Sequence, residues 1–258
     1  MWEAFKNLIF QIIEFFYTPF GDWGMAIVVV TIIFRIIIAP LMHSQTKSNY
    51  KMQKVQPLMA EIQQKYADDP MRQQEELQKL YADAKFNPLI GCLPIFLQMP
   101  IFIALFQVLR DLGNRPEVAS TNYSFYNLVP NLVYTPADAF GYGFVAFLPY
   151  LILMIVFAGA TFLPMILQVK DNKNTQQRNQ TLIMSGVMSL FMLWLSWSSP
   201  AGVLLFWGVS SIIAVGQQQF TQARLKRADR EKEAQEEAKP VVVSVERRQQ
   251  KKRQSKKH

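Results

Sequence analysis

The stretch TIIFRIIIAPL, residues 31–41, contains one arginine inside a run that is otherwise apolar from Trp23 to Met42. An apolar run of about 18 or more residues can cross the hydrocarbon layer of a membrane, which is about 30 Å thick. A charged side chain at membrane depth is costly and usually has a function. The stretch therefore predicts a membrane span over about 22–43, and Arg35 is the residue in it that needs a physical explanation.

Similar apolar runs recur along the chain, separated by segments rich in Lys, Gln and Glu. This alternation predicts an all-α polytopic membrane protein with five transmembrane helices, at about 22–43, 88–109, 143–168, 181–198 and 200–220. The remaining regions are an N-terminal segment, a long first loop and a basic tail. We divide the chain into residues 1–20, a five-span core over 21–223 that includes the segment 44–86, and a cytoplasmic tail over 224–258.

The N-terminal segment 1–20 spaces its apolar residues on one helical face, which predicts an amphipathic helix lying along the membrane surface. It also carries Glu3, Lys6 and Glu14 and is followed by no small-residue cleavage pattern, so we expect it not to be a secretory signal peptide.

The distribution of Lys and Arg predicts the orientation, because these residues prefer cytoplasmic loops. The segment 44–86 has seven of them, the loop 169–180 has three, and the tail 224–258 has thirteen against six Asp and Glu. The loop near 112–142 has Arg115 alone and is rich in aromatic residues. We therefore predict an outer N-terminus and a cytoplasmic C-terminus.

The cytoplasmic segment 44–86, called the hairpin segment below, shows two apolar stripes with helical spacing. Asp69 is placed to cap a helix that begins at Pro70, which predicts two antiparallel helices. Pro57 falls inside the first of them and is expected to kink or restart it. The segment is longer than a simple connection needs, which favours a working role in the cytosol over a joint between two spans.

Arg35 has two interpretations. It lies eight residues before His43, about 12 Å along a helix, so a side chain that reaches toward the headgroups covers only part of that depth. The other predicted spans contain no Asp or Glu, and Asp22 stands at the outer boundary of the first. Neutral polar residues in other spans, among them Gln98, Thr161 and Ser210, would then surround the charge, which favours a wet cavity that awaits an anion over a snorkelling structural arginine.

The sequence lacks the motifs that are typical of several classes of protein. Apart from Asp22 at the boundary of the first span, the spans hold no Asp. The histidines are His43 and His258, and neither HExxH nor GxxxxGK[ST] occurs, so we predict no enzyme activity. Cys92 is the single cysteine, and we expect no metal site and no cofactor. A transporter or channel that binds an anion stays open as the alternative function.

Four stretches carry a family resemblance: NPLIGCLPIFLQMPIF at 87–102, PAGVLLFWGVSSIIAVGQQQF at 200–220, the opening stretch TIIFRIIIAPL, and KMQKVQP at the beginning of the hairpin segment. Together they resemble the YidC family of membrane protein insertases, over roughly residues 20–222. The resemblance implies a five-helix core with a hydrophilic groove open to cytoplasm and lipid and closed on the outer side. Arg35, Gln98 and Trp207 match groove positions, and Thr161 and Ser210 are further candidates.

The resemblance also implies the partners and the location. Nascent membrane proteins with one or two spans are the expected substrates, without a small-molecule substrate. The Sec translocon is a candidate partner, and the basic tail is a candidate site for the ribosome or for anionic lipids. We expect a bacterial plasma membrane protein, of the Gram-positive type without a large periplasmic domain.

Overall fold

The computed structural model describes residues 1–84, 89–112, 121–170 and 175–237. The only β-type pairing among these residues is an isolated bridge between Phe125 and Val129. They form eight helices: α1 (Trp2–Phe20), α2 (Trp23–Lys65), α3 (Pro70–Asp83), α4 (Leu89–Asp111), α5 (Pro136–Gly141), α6 (Phe144–Lys170), α7 (Thr175–Trp197) and α8 (Ala201–Glu237). The prediction of an all-α fold is confirmed. The chain divides into the compact units Met1–Thr221 and Gln222–His258.

Helix α2 is longer than the sequence predicts, because the first span and the first helix of the hairpin segment are one continuous helix. It contains both Pro40 and Pro57. The prediction that Pro57 could restart the helix is wrong. A proline removes one N–H donor and adds a local clash. In a helix of 43 residues that loss leaves most of the hydrogen-bond ladder intact, and elongation of a formed helix is favourable.

Helix α3 begins as predicted, after a short turn that follows α2. The Asp69 carboxylate accepts a hydrogen bond from the Arg72 backbone N–H at 3.0 Å, and Pro70 is in the first turn. The Gln73 side chain donates to the Gln63 carbonyl at 3.0 Å, so α3 contacts the last turns of α2. The sequence prediction of a helix cap at Asp69 is confirmed.

The surface of α3 is charged and exposed. Lys79 Nζ lies 2.9 Å from Glu75 Oε1 and 3.0 Å from Glu76 Oε1. The hydrogen bond from Lys79 lowers the pKa of Glu75, and the two carboxylates raise the pKa of Lys79. Because exposed ion pairs stabilise proteins little, α3 presents a surface of fixed charges and does not gain its stability from them.

The directions of α2 and α8 follow from two contacts between them. Gly202 at the start of α8 lies against Ile27 at the start of α2. Eight residues further along each helix, Arg35 meets Ser210. Because the residue numbers rise together, α2 and α8 run parallel.

Helix α4 runs the opposite way. Leu109, near its end, lies against Gly202 at the start of α8. Phe102, seven residues earlier, packs its ring against Trp207 at a centroid distance of 5.5 Å. The numbers on α4 fall as those on α8 rise, so the two helices are antiparallel.

Helices α6 and α7 continue the alternation. The ring centroid of Phe147, near the start of α6, lies 5.9 Å from that of Trp197, the last residue of α7. Helix α8 begins shortly afterwards, at Ala201. Further along α6, Phe157 lies 5.5 Å from Trp207. Helices α2, α6 and α8 therefore run in one direction, while α4 and α7 run in the other.

Length and apolarity allow two of the described helices to cross a membrane, namely α2 and α8. Two shorter apolar stretches occur at Phe144–Ala160 and Thr181–Trp197. The predicted count of five spans therefore stays a prediction.

Many of the most deeply buried large side chains lie at one end of the bundle, where α2 and α8 begin and α4 ends. We call this the packed end and define it by Asp22, Leu112 and Ala201. Helix α1 contributes Phe10 and Ile13 to the same buried cluster. The other large side chains that are almost fully buried there come from four separate parts of the chain: Trp23, Ile27, Leu109, Leu132 and Leu204.

Candidate functional site

Arg35 lies in α2 between the helices of the bundle. It is thirteen residues beyond Asp22, which places it about 20 Å along the helix from the packed end. Its Nε donates a hydrogen bond to the Ser210 hydroxyl at 2.6 Å. The next two residues, Ile36 and Ile37, are largely exposed, so one side of α2 turns outward while the guanidinium is directed toward α8.

No carboxylate of the described residues forms an ion pair with Arg35, whereas ion pairs do occur within α1, α3 and α8. The partner of Arg35 is the neutral Ser210 hydroxyl, as expected when the other spans have no acidic residue. A guanidinium carries five N–H donors, and the bond to Ser210 uses one. The remaining N–H donors of Arg35 can therefore bind a carboxylate or a carbonyl group.

Two more polar contacts join α2 and α8 beyond Arg35. Gln217 Nε2 donates to the Ala39 carbonyl at 2.8 Å. The Thr221 hydroxyl lies 3.5 Å from Nδ1 of His43. Together with the Arg35–Ser210 bond, they form a polar seam between the two parallel helices, with one contact at each turn of α2. The seam holds α8 against α2 on the side of Arg35.

The sequence prediction missed the last two contacts of this seam. Ser210, Gln217 and Thr221 are separated by seven and four residues, which is the spacing of one helical face. That stripe of polar residues on an apolar helix was a signal of a partner helix. Its partner could not be identified from the sequence, because the contacts join residues 175 and 178 positions apart.

An aromatic cluster continues the site from α8 to α4 and α6. Trp207, one turn before Ser210, packs against Phe102 and Phe157, each with a centroid distance of 5.5 Å. The Trp207 indole N–H is buried, and no described residue accepts a hydrogen bond from it. A buried donor without an acceptor is costly.

The other two predicted groove residues, Gln98 and Thr161, are each one helical turn along the chain from a ring of this cluster. Gln98 is partly buried and is one turn before Phe102 on α4, so both are on the same face. Thr161 is one turn after Phe157 on α6, and its side chain lies outside the described residues. The structure thus brings Arg35 into direct contact with Ser210 and Trp207 into contact with Phe102, which is one turn from Gln98 on α4. The role of all five residues as a groove stays a prediction.

The packed end is closed by a buried carboxylate. Asp22 is 4% exposed and accepts hydrogen bonds from the backbone N–H groups of Met25, which begins the ladder of α2, and of Tyr126. The first is the N-cap bond of α2, and the second ties the segment 121–135 to the same point. Trp23 adds a hydrogen bond from its indole N–H to the Thr121 hydroxyl at 3.1 Å.

The same segment also satisfies the first N–H groups of α8. The Ala201 and Gly202 backbone N–H groups donate to the Tyr134 and Leu132 carbonyls, both at 2.9 Å. The first N–H groups of a helix otherwise have no partner within it. Backbone hydrogen bonds and buried apolar side chains therefore seal this end of the bundle, and the polar seam lies beyond the seal.

The fold and the site define a class: an α-helical membrane protein whose described long helices alternate in direction and hold the Arg35 guanidinium between two of them. The family model described as 60Kd inner membrane protein matches residues 15–229. The chain belongs to this family, the YidC family of bacterial inner membrane proteins, as the sequence resemblance predicts.

Individual relatives agree with this assignment. The chain is 32% identical over 226 residues to the membrane protein insertase YidC of Actinobacillus succinogenes. This match covers 88% of the present chain and 38% of that protein. The chain is also 34% identical to the protein of that name from Haemophilus influenzae strain PittEE, with the same coverage. The chain thus spans 38% of the length of these relatives.

A solved structure is similar as well. It is described as the active YidC insertase crystal structure with the first transmembrane domain resolved, and it matches with a TM-score of 0.61 and 29% sequence identity. The match covers 82% of this chain and 45% of that chain. The type of bacterium from which the present chain comes stays a prediction.

Proposed function

We propose that this protein is a membrane protein insertase, which receives the apolar segments of nascent membrane proteins and releases them into the lipid. The observation that carries the proposal is Arg35, a cation held between α2 and α8 by a neutral hydroxyl and paired with no carboxylate of the described residues. Family membership supports the proposal, since the relatives bear the name membrane protein insertase.

The proposed membrane arrangement has five spans, an outer N-terminus and a cytoplasmic C-terminus. The alternating directions of α2, α4, α6, α7 and α8 support it, because successive spans must cross in opposite directions. The distribution of Lys and Arg supports the same orientation. The packed end is then on the outer side, α1 lies along the outer surface, and the hairpin segment and the tail lie in the cytoplasm.

The proposed mechanism uses a groove that contains Arg35, Gln98, Trp207, Thr161 and Ser210. An incoming protein must move a polar tail across the membrane, and burying polar groups without partners is costly. The guanidinium and the neighbouring polar groups offer that tail a halfway site, while the seal at the packed end keeps the groove closed on the outer side. Transfer of the apolar segment from water to lipid drives the process.

The proposed partners are nascent membrane proteins with one or two spans. The Sec translocon is a further candidate, and the ribosome or anionic lipids are candidates for the basic tail, which carries a net charge of +7 over residues 224–258. An anion transporter or channel would also suit an unpaired Arg35. The relatives, which bear the name insertase, do not favour that alternative.

The test is an insertion assay in reconstituted liposomes, with single-span substrates whose translocated tails are acidic or neutral. A charge pair about 10 Å apart at an effective dielectric constant of about 20 attracts by about 1.7 kcal/mol. Because about 1.4 kcal/mol corresponds to a tenfold change in rate, Arg35→Ala is expected to insert acidic tails roughly tenfold more slowly. Arg35→Lys should retain much of the rate, and Arg35→Glu should be slower than Arg35→Ala.

Neutral tails provide the internal control, since they should lose less rate in each variant. Arg110→Ala is the matched protein control, because it removes an exposed arginine at the packed end of α4. Equal losses for acidic and neutral tails would refute attraction by charge and leave hydration of the groove as the role of Arg35.

A further inference from the structure

An apolar cavity that is open on one side lies away from the groove, between the N-terminal helix and the bundle. Its volume is about 310 Å³, and its walls are formed by α1, α2 and α4, with Phe206 of α8 at its base. None of Arg35, Gln98, Trp207 or Ser210 lines it. The insertase mechanism proposed above does not use this cavity, so its contents need a separate explanation.

The lining of the cavity is hydrocarbon almost throughout. Thr31 is its one polar side chain, and the Thr31 hydroxyl donates to the Ile27 carbonyl of its own helix at 2.6 Å. A buried water molecule needs two to four polar partners, and apolar cavities without them stay dry and take up apolar molecules. The lining therefore excludes water and polar ligands and selects an apolar occupant.

The cavity has a buried base and an exposed rim. Leu105 and Phe206 at the base are each 4% exposed, whereas Leu8 of α1 and Ile37 of α2 at the rim are 51% and 68% exposed. Ile37 belongs to a helix that is long and apolar enough to cross a membrane. The rim is thus continuous with an apolar surface of α2, and in the membrane arrangement proposed above the cavity opens toward the hydrocarbon of the bilayer.

We propose that this cavity binds one acyl chain of a membrane phospholipid, which fills the space between α1 and the bundle and holds α1 in place. The size of the cavity favours an acyl chain over a helical protein segment as the occupant. A helix with its side chains is about 10–12 Å in diameter, and a site of 310 Å³ with walls on three helices has no room for one. An acyl chain is narrow, apolar and present in the bilayer wherever the rim opens.

The experiment uses the full chain reconstituted in phosphatidylcholine vesicles that contain a phospholipid with a diazirine group in its acyl chain. After illumination, mass spectrometry locates the lipid adducts along the protein. We expect adducts on the buried residues Leu105 and Phe206 as well as on the exposed residues Ile183 and Met184 of α7, which report contact with bulk lipid. Adducts on the exposed residues alone would overturn the proposal.

Variants that fill the cavity give the second readout. Ile9→Phe on α1 and Val30→Phe on α2 each add a ring to its lining, and both should abolish the adducts on Leu105 and Phe206. Ile152→Phe is the matched control, because it adds the same group at an exposed position of α6, and it should retain them. Buried adducts that persist in both filled variants would also overturn the proposal.

The outcome is independent of the proposed insertase activity. Labelling requires no substrate, and Arg35→Ala should keep the buried adducts, since Arg35 is not part of the lining. Loss of insertion with intact buried adducts would therefore concern the groove alone. If the wild-type protein shows no adducts on Leu105 and Phe206, the lipid site is refuted, and the proposal for Arg35 is not affected.

Discussion

Replacement of Asp22 by alanine should loosen the packed end of the bundle. Asp22 is 4% exposed and accepts hydrogen bonds from the Met25 and Tyr126 backbone N–H groups. Loss of a helix N-cap costs about 1 kcal/mol, and a buried N–H left without a partner costs about 1–3 kcal/mol. The free energy of unfolding should therefore fall by about 2–4 kcal/mol.

The assay is thermal unfolding of the purified protein in detergent micelles, followed by tryptophan fluorescence. Trp23 stacks on Tyr17 at a centroid distance of 4.5 Å, so its emission reports on this end of the bundle. For chains of this size, 1 kcal/mol lowers the Tm by about 2–4 °C, and Asp22→Ala should lower it by roughly 4–16 °C. Asp22→Asn keeps one side-chain oxygen as acceptor and should cost less.

Asp138 provides the control, since its exposed carboxylate accepts a hydrogen bond at 2.9 Å from the backbone N–H of Thr135, the N-cap of α5. Asp138→Ala should lose this capping-box hydrogen bond without burying an unpaired group. If Asp22→Ala unfolds at the same temperature as Asp138→Ala, the bond to Tyr126 contributes nothing, and the seal at the packed end rests on apolar packing alone.

Gly24→Ala should destabilise the protein by about 1–3 kcal/mol, because the new methyl group would overlap Phe125. The control Gly186→Ala places its methyl group in open space and should be neutral or stabilising by up to about 1 kcal/mol. Equal unfolding temperatures of the two variants would contradict this prediction. Deletion of residues 50–83 with a Gly/Ser linker should stop insertion in liposomes while the spans still fold, and an unchanged insertion rate would make the hairpin segment a simple connection. Truncation after Arg224 should weaken co-sedimentation with ribosomes, most clearly at low salt; if vesicle binding alone falls, the tail binds lipid.

Local patterns predicted most of the helices. The apolar spacing of residues 1–20 corresponds to α1, and Asp69 with Pro70 marks the start of α3, because a cap and a helical face depend on residues within a few positions of each other. Pro57 was misjudged for a related reason. Its local cost is real, but the length of α2 on both sides of it decides whether the helix continues.

The candidate site was predicted in part. The absence of acidic residues from the other spans indicated a neutral partner for Arg35, and Ser210, which accepts its hydrogen bond, was among the candidates. The sequence also carries the family resemblance on which Gln98 and Trp207 depend, and their use as a groove stays a prediction. So does the absence of enzyme activity, of a cofactor and of a metal site, which no observation of the described residues tests.

By itself, the amino-acid sequence determined that this chain is helical, that its helices are apolar over long stretches, and that one cation lies within them, because hydrophobic periodicity and charge are local properties. Only the tertiary structure decided which helices meet. The contacts of Arg35 with Ser210 and of Gln217 with Ala39 join residues 175 and 178 positions apart. Many apolar helix faces are equally suited to packing, so their pairing depends on the shape of the whole bundle and cannot be read from either partner alone.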